Sequence, residues 1–320
     1  MKKMLFFTFF IIAVPSFFIL NKYKEENYFY EKNKNDKIEI EEEKEEIKEK
    51  NIEIKVLQTK TNKIIKLNIE EYVKGVIAGE MPLTFNEEAL KAQAVAARTY
   101  ALRRINENNK YDVVDTVMNQ VYLSDESLKE KLGLNYEFYL EKIENVVKET
   151  KGEYVDYNGT YADTLFFSTS VGSTENSEEI FGTKVSYLQS VSSEWDEEVS
   201  PVYKEKNIFS RNTFCNKLNL SDCSKVYVNI VNKTSTGRIK NIIINNKNFT
   251  GTEVAYNLGI RSNYFDIYIE NNNIVVETKG FGHGVGMSQY GAEGMANNGY
   301  TYKEILTHYY QGTTIKNLYV

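Results

Sequence analysis

GEMPLTFNEEALKAQAVAARTYAL, residues 79–102, is the most informative stretch of this 320-residue chain. Just before it, residues 69–77 place apolar side chains at the three-and-four spacing of a helix, and Glu80 is the next position on that face. Pro82 predicts that this helix ends near Met81. The stretch therefore predicts a carboxylate that continues an apolar stripe at the end of a helix.

Two local effects act on Glu80. The apolar side chains one turn back, Val76 and Ile77, exclude water from the carboxylate, and the negative end of the helix dipole lies beside it. Both effects favour the protonated carboxylic acid, which can donate a proton as a general acid must. From the spacing alone, the alternative is a solvated helix-end residue in a salt bridge, because buried carboxylates are uncommon.

A second helix follows within the same stretch. Asn86 is its predicted N-cap, with Glu87 and Glu88 in the first turn, where the helix dipole favours negative charge. Leu90, Ala94, Ala97 and Ala101 form a stripe of mostly small side chains. Arg98 and Tyr100 add polar tips near one end. We expect this helix to pack closely against its neighbours.

Composition excludes several classes of function. The net charge of -6 and the pI near 5.4 argue against a nucleic-acid partner, since phosphate binding needs a basic face. The C-terminal glycine run fits GxGxxG in no frame, no GK[ST] occurs, and the serines at 168–173 do not form GxSxG. We therefore expect no nucleotide cofactor and no serine hydrolase.

Few residues suit a metal site or a disulfide framework. The two cysteines, Cys215 and Cys223, have no CxxC spacing, and they either close a short loop as a disulfide or remain free. The two histidines, His283 and His308, do not belong to an HExxH motif. No bound metal is expected.

The N-terminal fifty residues predict an anchor and a tether. Residues 4–20 carry no charge and are just long enough for one membrane-spanning helix. No small-x-small cleavage site follows, which favours an uncleaved signal anchor, residues 1–20, over a cleaved signal peptide. Residues 21–51 are rich in Glu and Lys and predict a solvated spacer, either helical or extended. We expect the body, residues 52–320, to lie outside the cell membrane.

The body is predicted to be an α+β domain, with helices and antiparallel hairpins mixed around a substrate groove. Its predicted elements are a hairpin at 52–69, strand and loop at 111–123, an amphipathic helix at 136–152, a hairpin turning at Asn158–Gly159, and a helix after the Thr301/Glu304 capping box. A strand-rich insertion is expected near residues 200–276.

The glycine run KGFGHGVGMSQYGAEGMA, residues 279–296, places a glycine at every second position from Gly280 to Gly286. In an extended strand, the alternate residues Phe281, His283, Val285 and Met287 share one side. Glycine repeated at this density costs folding entropy without adding packing. The pattern therefore predicts close approach of a substrate near His283, whereas a hydrogen-bonded core histidine is the alternative.

Three blocks resemble the signature blocks of the stage II sporulation protein D family, which also includes modifiers of a cell-wall amidase. They are GVIAGEMPLTFNEEALKAQAVAARTYAL at 75–102, FFSTSVGSTENSEEIFG with SYLQSV within 166–191, and GFGHGVGMSQYGAEGMANNGYTYKEILTHYYQGTTI at 280–315. The blocks follow the family's order and cover the body from about residue 60 to the C-terminus.

The resemblance implies a membrane-anchored, outward-facing lytic transglycosylase. In such enzymes a single glutamate, here Glu80, protonates the oxygen that bridges N-acetylmuramic acid and N-acetylglucosamine. It then takes the proton of the muramic C6 hydroxyl, which gives a 1,6-anhydro end. No second catalytic carboxylate stands in a comparable motif, in agreement with this chemistry.

The resemblance also implies partners. The preferred peptidoglycan strands have already lost their stem peptides to a cell-wall amidase, a membrane scaffold protein is expected, and the two enzymes thin the septal wall during engulfment of the forespore. Motif position and side-chain chemistry suggest the residues that line the groove: Arg98, Gln120, Tyr122, Ser170, His283, Gln289 and Tyr290. The chain departs from the family pattern at Phe167, commonly histidine, and at Val171, commonly glycine.

Two other functions remain open at this point. One is a non-enzymatic wall-binding protein that activates an N-acetylmuramoyl-L-alanine amidase, in which Glu80 has a structural role. The other is a binding module for small ligands outside the membrane, for which the sequence identifies no pocket.

Overall fold

The computed structural model describes residues 51–319. The predicted anchor at 1–20 lies outside the described residues, as does the predicted tether apart from Asn51. Among the described residues, no helix combines the length and the apolar character needed to cross a membrane.

The body begins with the predicted hairpin and helix. Strands β1 (Glu53–Gln58) and β2 (Lys63–Asn68) pair in antiparallel fashion, and helix α1 (Ile69–Glu80) follows directly. The side chain of Asn68 caps α1 by accepting a hydrogen bond from the Glu70 N–H. The residue after the helix, Met81, is extended, as Pro82 requires. The predicted end of this helix is confirmed.

Helix α2 (Glu87–Arg104) is the central element of the fold. Asn86 accepts a hydrogen bond from the Glu88 N–H at 3.0 Å, which confirms the predicted N-cap. The predicted stripe of small residues is completely buried, because α2 is covered on several sides. Since alanine side chains are short, neighbouring backbones approach this helix closely.

The other elements follow in chain order. The remaining helices are α3 (Asp125–Leu132), α4 (Tyr136–Glu149), α5 (Ser177–Phe181), α6 (Asp196–Val199), α7 (Arg211–Leu218), α8 (Gly251–Leu258), α9 (Gln289–Asn297) and α10 (Tyr302–Tyr309). The remaining strands are β3 (Val113–Val114), β4 (Glu153–Tyr157), β5 (Thr160–Tyr161), β6 (Phe166–Phe167), β7 (Gly172–Ser173), β8 (Ser192–Ser193), β9 (Lys204–Phe209), β10 (Val228–Lys233), β11 (Ile239–Ile244), β12 (Lys247–Thr250), β13 (Phe265–Glu270), β14 (Asn273–Lys279), β15 (Met287–Ser288) and β16 (Thr314–Asn317).

Most strand pairs are antiparallel, as predicted. The hairpin of β4 and β5 turns at Asn158 and Gly159, whose φ values of 52° and 82° suit these two residues. Within residues 51–319, two short pairs are parallel, β1 with β3 and β6 with β15, and they join segments that are distant in the sequence. The mixed α and β class with antiparallel hairpins is confirmed, and the parallel pairs are added by tertiary structure.

Strands β9 to β14 carry a hydrophobic core of their own. This core is built with helices α7 and α8 around side chains such as Phe214 and Ile242, and it is separate from the core around α2. Cys215 and Cys223 form a disulfide at its edge. The segment corresponds to the strand-rich insertion, with two helices that the sequence reasoning did not predict.

The glycine run is not the extended strand that we predicted. Gly280, Gly282, Gly284 and Gly286 all have φ between 73° and 105°, so the chain turns at every second residue. Within this run from Gly280 onward, only the short strand β15 pairs with another strand, β6. The intervening side chains consequently separate: Phe281 and His283 line a cleft, whereas Val285 and Met287 are completely buried.

Candidate active site

A cleft of about 560 Å³ opens beside the end of α1. It is lined by Glu80, Tyr100, Val117, Met118, Asn119, Leu165, Phe166, Phe167, Ser168, Phe181, Phe281, Gly282, His283 and Gln289. The lining contributed by residues 51–319 has no lysine, arginine or aspartate. Among the described residues that line the cleft, Glu80 is therefore the carboxylate available for acid and base chemistry.

The Glu80 carboxyl is half-buried and held by the backbone. Its Oε1 accepts a hydrogen bond from the Val121 N–H at 2.6 Å. Burial raises the pKa of Glu80, and the hydrogen bonds from Val121 and Gln289 offset part of that rise. No charged side chain in the described part of the chain contributes to this shift, so the structure does not support the alternative of a solvated salt bridge.

Two glycines let a loop reach Glu80. A Cβ on Gly79 would overlap the carbonyl of Val121, and a Cβ on Gly75 would overlap the ring of Tyr122. The Leu123 N–H also donates to the Gly75 carbonyl at 3.1 Å. Because both helix positions lack side chains, the loop lies directly on α1 and its N–H meets the carboxylate. Two glycines four residues apart, directly before Glu80, are the sequence signal for this close approach.

Gln289 is placed beside Glu80. Its Nε2 donates to the backbone carbonyl of Glu80 at 3.2 Å, and its side chain lines the cleft. Gln289 begins helix α9, whose N-cap is Ser288. The third sequence block thus supplies a cleft residue 209 positions away from Glu80.

His283 also lines the cleft, and its ring has two backbone hydrogen-bond partners. Nδ1 accepts from the Val285 N–H at 3.1 Å, and a second hydrogen bond joins the ring to the Phe166 backbone. Burial first, and then the charge of Arg238, lower the pKa of His283 to about 4. The imidazole is therefore neutral at physiological pH, and its contact with a substrate stays a prediction.

Arg98 and Ser170 are not among the residues that line the cleft, and both side chains have partners within the domain. Arg98 is completely buried; its Nε donates to Glu70 at 3.0 Å and its Nη1 to the Glu153 carbonyl at 3.1 Å. The Ser170 hydroxyl donates to the buried Asp196 at 2.9 Å. Both side chains hold the scaffold of the domain together, which their polar chemistry alone did not reveal.

The other three predicted residues also have partners outside the cleft lining. Gln120 is buried and accepts from the Tyr72 hydroxyl at 3.0 Å. Tyr122 stacks on Tyr72 with ring centres 5.7 Å apart. Tyr290 packs edge-on against Phe85 at 5.0 Å. Their contact with a substrate stays a prediction.

Several cleft residues were not assigned as site residues from the sequence. Tyr100 was noted only as a polar tip, and Asn119 stands beside the predicted Gln120. The lining includes four exposed apolar residues, Val117, Met118, Phe181 and Phe281, which are between 43% and 86% exposed. Apolar residues in a polar loop are the available signal for Val117 and Met118. Phe167, the first departure from the family pattern, contacts the His283 ring at 5.7 Å.

Comparison of the sequence with known proteins identifies the family of this chain. A family model described as "SpoIID: Stage II sporulation protein" matches residues 57–157. The chain is 41% identical over 278 residues to stage II sporulation protein D of Bacillus subtilis (strain 168), which covers 85% of this chain and 81% of that protein. This chain belongs to the stage II sporulation protein D family.

Two further relatives are informative. Stage II sporulation protein D of Bacillus amyloliquefaciens is 40% identical over 276 residues, or 84% of this chain and 80% of that protein. The amidase enhancer of Bacillus subtilis (strain 168) is 28% identical over 298 residues, or 76% of this chain and 40% of that protein. The family resemblance noted in the sequence is confirmed, and the matched range 57–157 contains Glu80, Tyr100 and Asn119.

Proposed function

We propose that this chain is a peptidoglycan lytic transglycosylase in which Glu80 is the general acid and base. The observation that carries the proposal is one half-buried carboxyl with a raised pKa, seated in a cleft that has neutral polar and aromatic walls. Aromatic and apolar walls suit sugar rings, and one carboxyl whose pKa is raised by burial can first donate and then accept a proton.

In the proposed reaction, Glu80 donates its proton to the oxygen that bridges N-acetylmuramic acid and N-acetylglucosamine, and the bond from the muramic C1 to that oxygen breaks. The Glu80 carboxylate then accepts the proton of the muramic C6 hydroxyl while O6 bonds to C1. Water is not consumed. The Val121 N–H stabilises the carboxylate between the two steps, and burial favours return of the acid.

The test is Glu80→Gln, which keeps the shape of the side chain and removes its acidity. We expect the release of 1,6-anhydro ends from peptide-free glycan strands, measured by mass spectrometry, to fall by about 10²–10⁴-fold. Glu71→Gln is the matched control, because Glu71 lies exposed on the same helix and pairs with Lys74 at 2.8 Å. Unchanged release by the Glu80 variant would contradict the assignment.

A second candidate is a non-catalytic activator of an N-acetylmuramoyl-L-alanine amidase. Its support is the similarity to a protein named amidase enhancer. If this candidate is right, the purified protein yields no new glycan ends, and Glu80→Gln stimulates the amidase as strongly as the wild type does.

We further propose that the enzyme works at the cell membrane during engulfment, with residues 1–20 as a single anchor and the body outside. A cell-wall amidase supplies peptide-free strands, and a membrane scaffold protein holds the two enzymes together. Protease added to intact sporulating cells should digest the body, whereas protection of the body would contradict this orientation.

A further inference from the structure

Tyr100 and Asn119 form a hydrogen-bonded pair in the wall of the cleft that contains Glu80. The Oδ1 of Asn119 accepts from the Val114 N–H at 2.9 Å, and its Nδ2 donates to the Tyr100 hydroxyl at 3.0 Å. Since one end of the amide is fixed by the backbone, the other end can only donate. The Tyr100 oxygen therefore receives a hydrogen bond and keeps its own hydrogen.

The ring of Tyr100 is also fixed from one face. The guanidinium of Arg104 lies 3.2 Å from the ring centre, and Arg104 donates to Asp163 at 2.9 Å. The tyrosine is only 6% exposed. The ring has little freedom to turn, so the hydroxyl is held in one position before any ligand arrives.

No described residue accepts the Tyr100 O–H hydrogen. Tyr100 lines the cleft, and a phenylalanine ring would pack against Arg104 equally well. The hydroxyl and the amide that orients it are therefore not needed to fill space. Their arrangement suits a ligand that brings a hydrogen-bond acceptor into the cleft.

We propose that Tyr100 is a substrate-binding residue that donates a hydrogen bond to a neutral oxygen of the glycan, a hydroxyl or an acetamido carbonyl, and that Asn119 is the positioning residue that aims it. The assignment rests on the proposed function for the identity of the substrate. The acceptor is neutral because the described cleft lining has no lysine or arginine to receive an anion.

Two substitutions test the two roles. Tyr100→Phe removes only the hydroxyl. Asn119→Asp replaces the donating amide by an oxygen that accepts the Tyr100 hydrogen and turns it away from the substrate. Each should weaken binding of peptide-free glycan oligomers by about 10- to 100-fold, measured by calorimetry in the Glu80→Gln background, where no turnover occurs.

The matched control is Tyr268→Phe. This change also removes a hydrogen-bonded hydroxyl, which donates to Glu277 at 2.7 Å on strand β13, outside the cleft lining. It should leave glycan binding unchanged. All three variants should melt within about 2 °C of their parent, so that weaker binding is not a consequence of unfolding.

The outcomes separate this assignment from the proposed function. Unchanged glycan binding by Tyr100→Phe overturns the role of Tyr100 even if Glu80→Gln abolishes cleavage. If Tyr100→Phe binds glycan more weakly but Asn119→Asp binds it as tightly as the parent, the role of Asn119 is overturned. If the wild-type protein never releases 1,6-anhydro ends but glycan binding still depends on Tyr100, the binding role of Tyr100 is supported and the proposed transglycosylase activity is contradicted.

Discussion

A buried ion pair attaches the insertion to the cleft. Glu175 follows strand β7 and Arg238 precedes strand β11; both side chains are at most 1% exposed, and their charged groups lie 3.6 Å apart. The Thr234 hydroxyl also donates to Glu175, at 2.6 Å. A Cβ on Gly284 would lie 2.5 Å from the Arg238 guanidinium, so the pair sits directly behind the glycine run of the cleft.

Arg238→Met removes the cation and leaves the Glu175 carboxylate buried. Breaking a buried pair by removing one partner costs about 3–5 kcal/mol of unfolding free energy. Because the hydroxyls of Thr234 and Thr236 still donate to the carboxylate, we expect the lower end, about 3 kcal/mol. The double variant Glu175→Gln/Arg238→Met has no unpaired charge and should return to within about 1 kcal/mol of the wild type.

The assay is urea denaturation of the wild type, the two single variants and the double variant, followed by circular dichroism. The expected result is strong non-additivity, with a coupling energy of about 2 kcal/mol or more between the two positions. A loss below about 1 kcal/mol for Arg238→Met, or a double variant that equals the sum of the singles, would refute the reasoning.

Three further predictions concern the site and the insertion. Burial raises the pKa of Glu80, so the folded protein should lose stability as pH rises from the ordinary pKa of a glutamate to the raised one. The Glu80→Gln variant should therefore be more stable than the wild type at pH 7. Equal urea midpoints of the two proteins would contradict this. Because His283 has a pKa lowered to about 4, its imidazole should show no NMR titration near pH 6.5, and stability should fall as pH drops from about 6.5 to about 4, where the unfolded chain binds the proton first. Reduction of the Cys215–Cys223 disulfide should cost about 2.5 kcal/mol in the insertion, as estimated from its short loop, and a thermal scan with and without reductant measures this loss.

Much of the local structure followed from the sequence. The end of α1 at Glu80, the N-cap of α2 and the Asn158–Gly159 hairpin are each specified within a few residues, because caps, proline and positive-φ turns act over that distance. The raised proton affinity of Glu80 was also predictable, since it depends on apolar neighbours one helical turn away.

The arrangement around Glu80 was decided by the tertiary structure. Val121 lies 41 residues and Gln289 lies 209 residues from Glu80, and neither contact has a local signal. Of seven residues predicted to line the groove, the cleft lining contains His283 and Gln289, while Arg98 donates to Glu70 and Ser170 donates to the buried Asp196. A buried polar side chain needs hydrogen-bond partners, but only the folded chain determines which partners come within reach. The sequence by itself thus specified the acid and its helix, whereas the walls of the cleft depend on segments that meet only after folding.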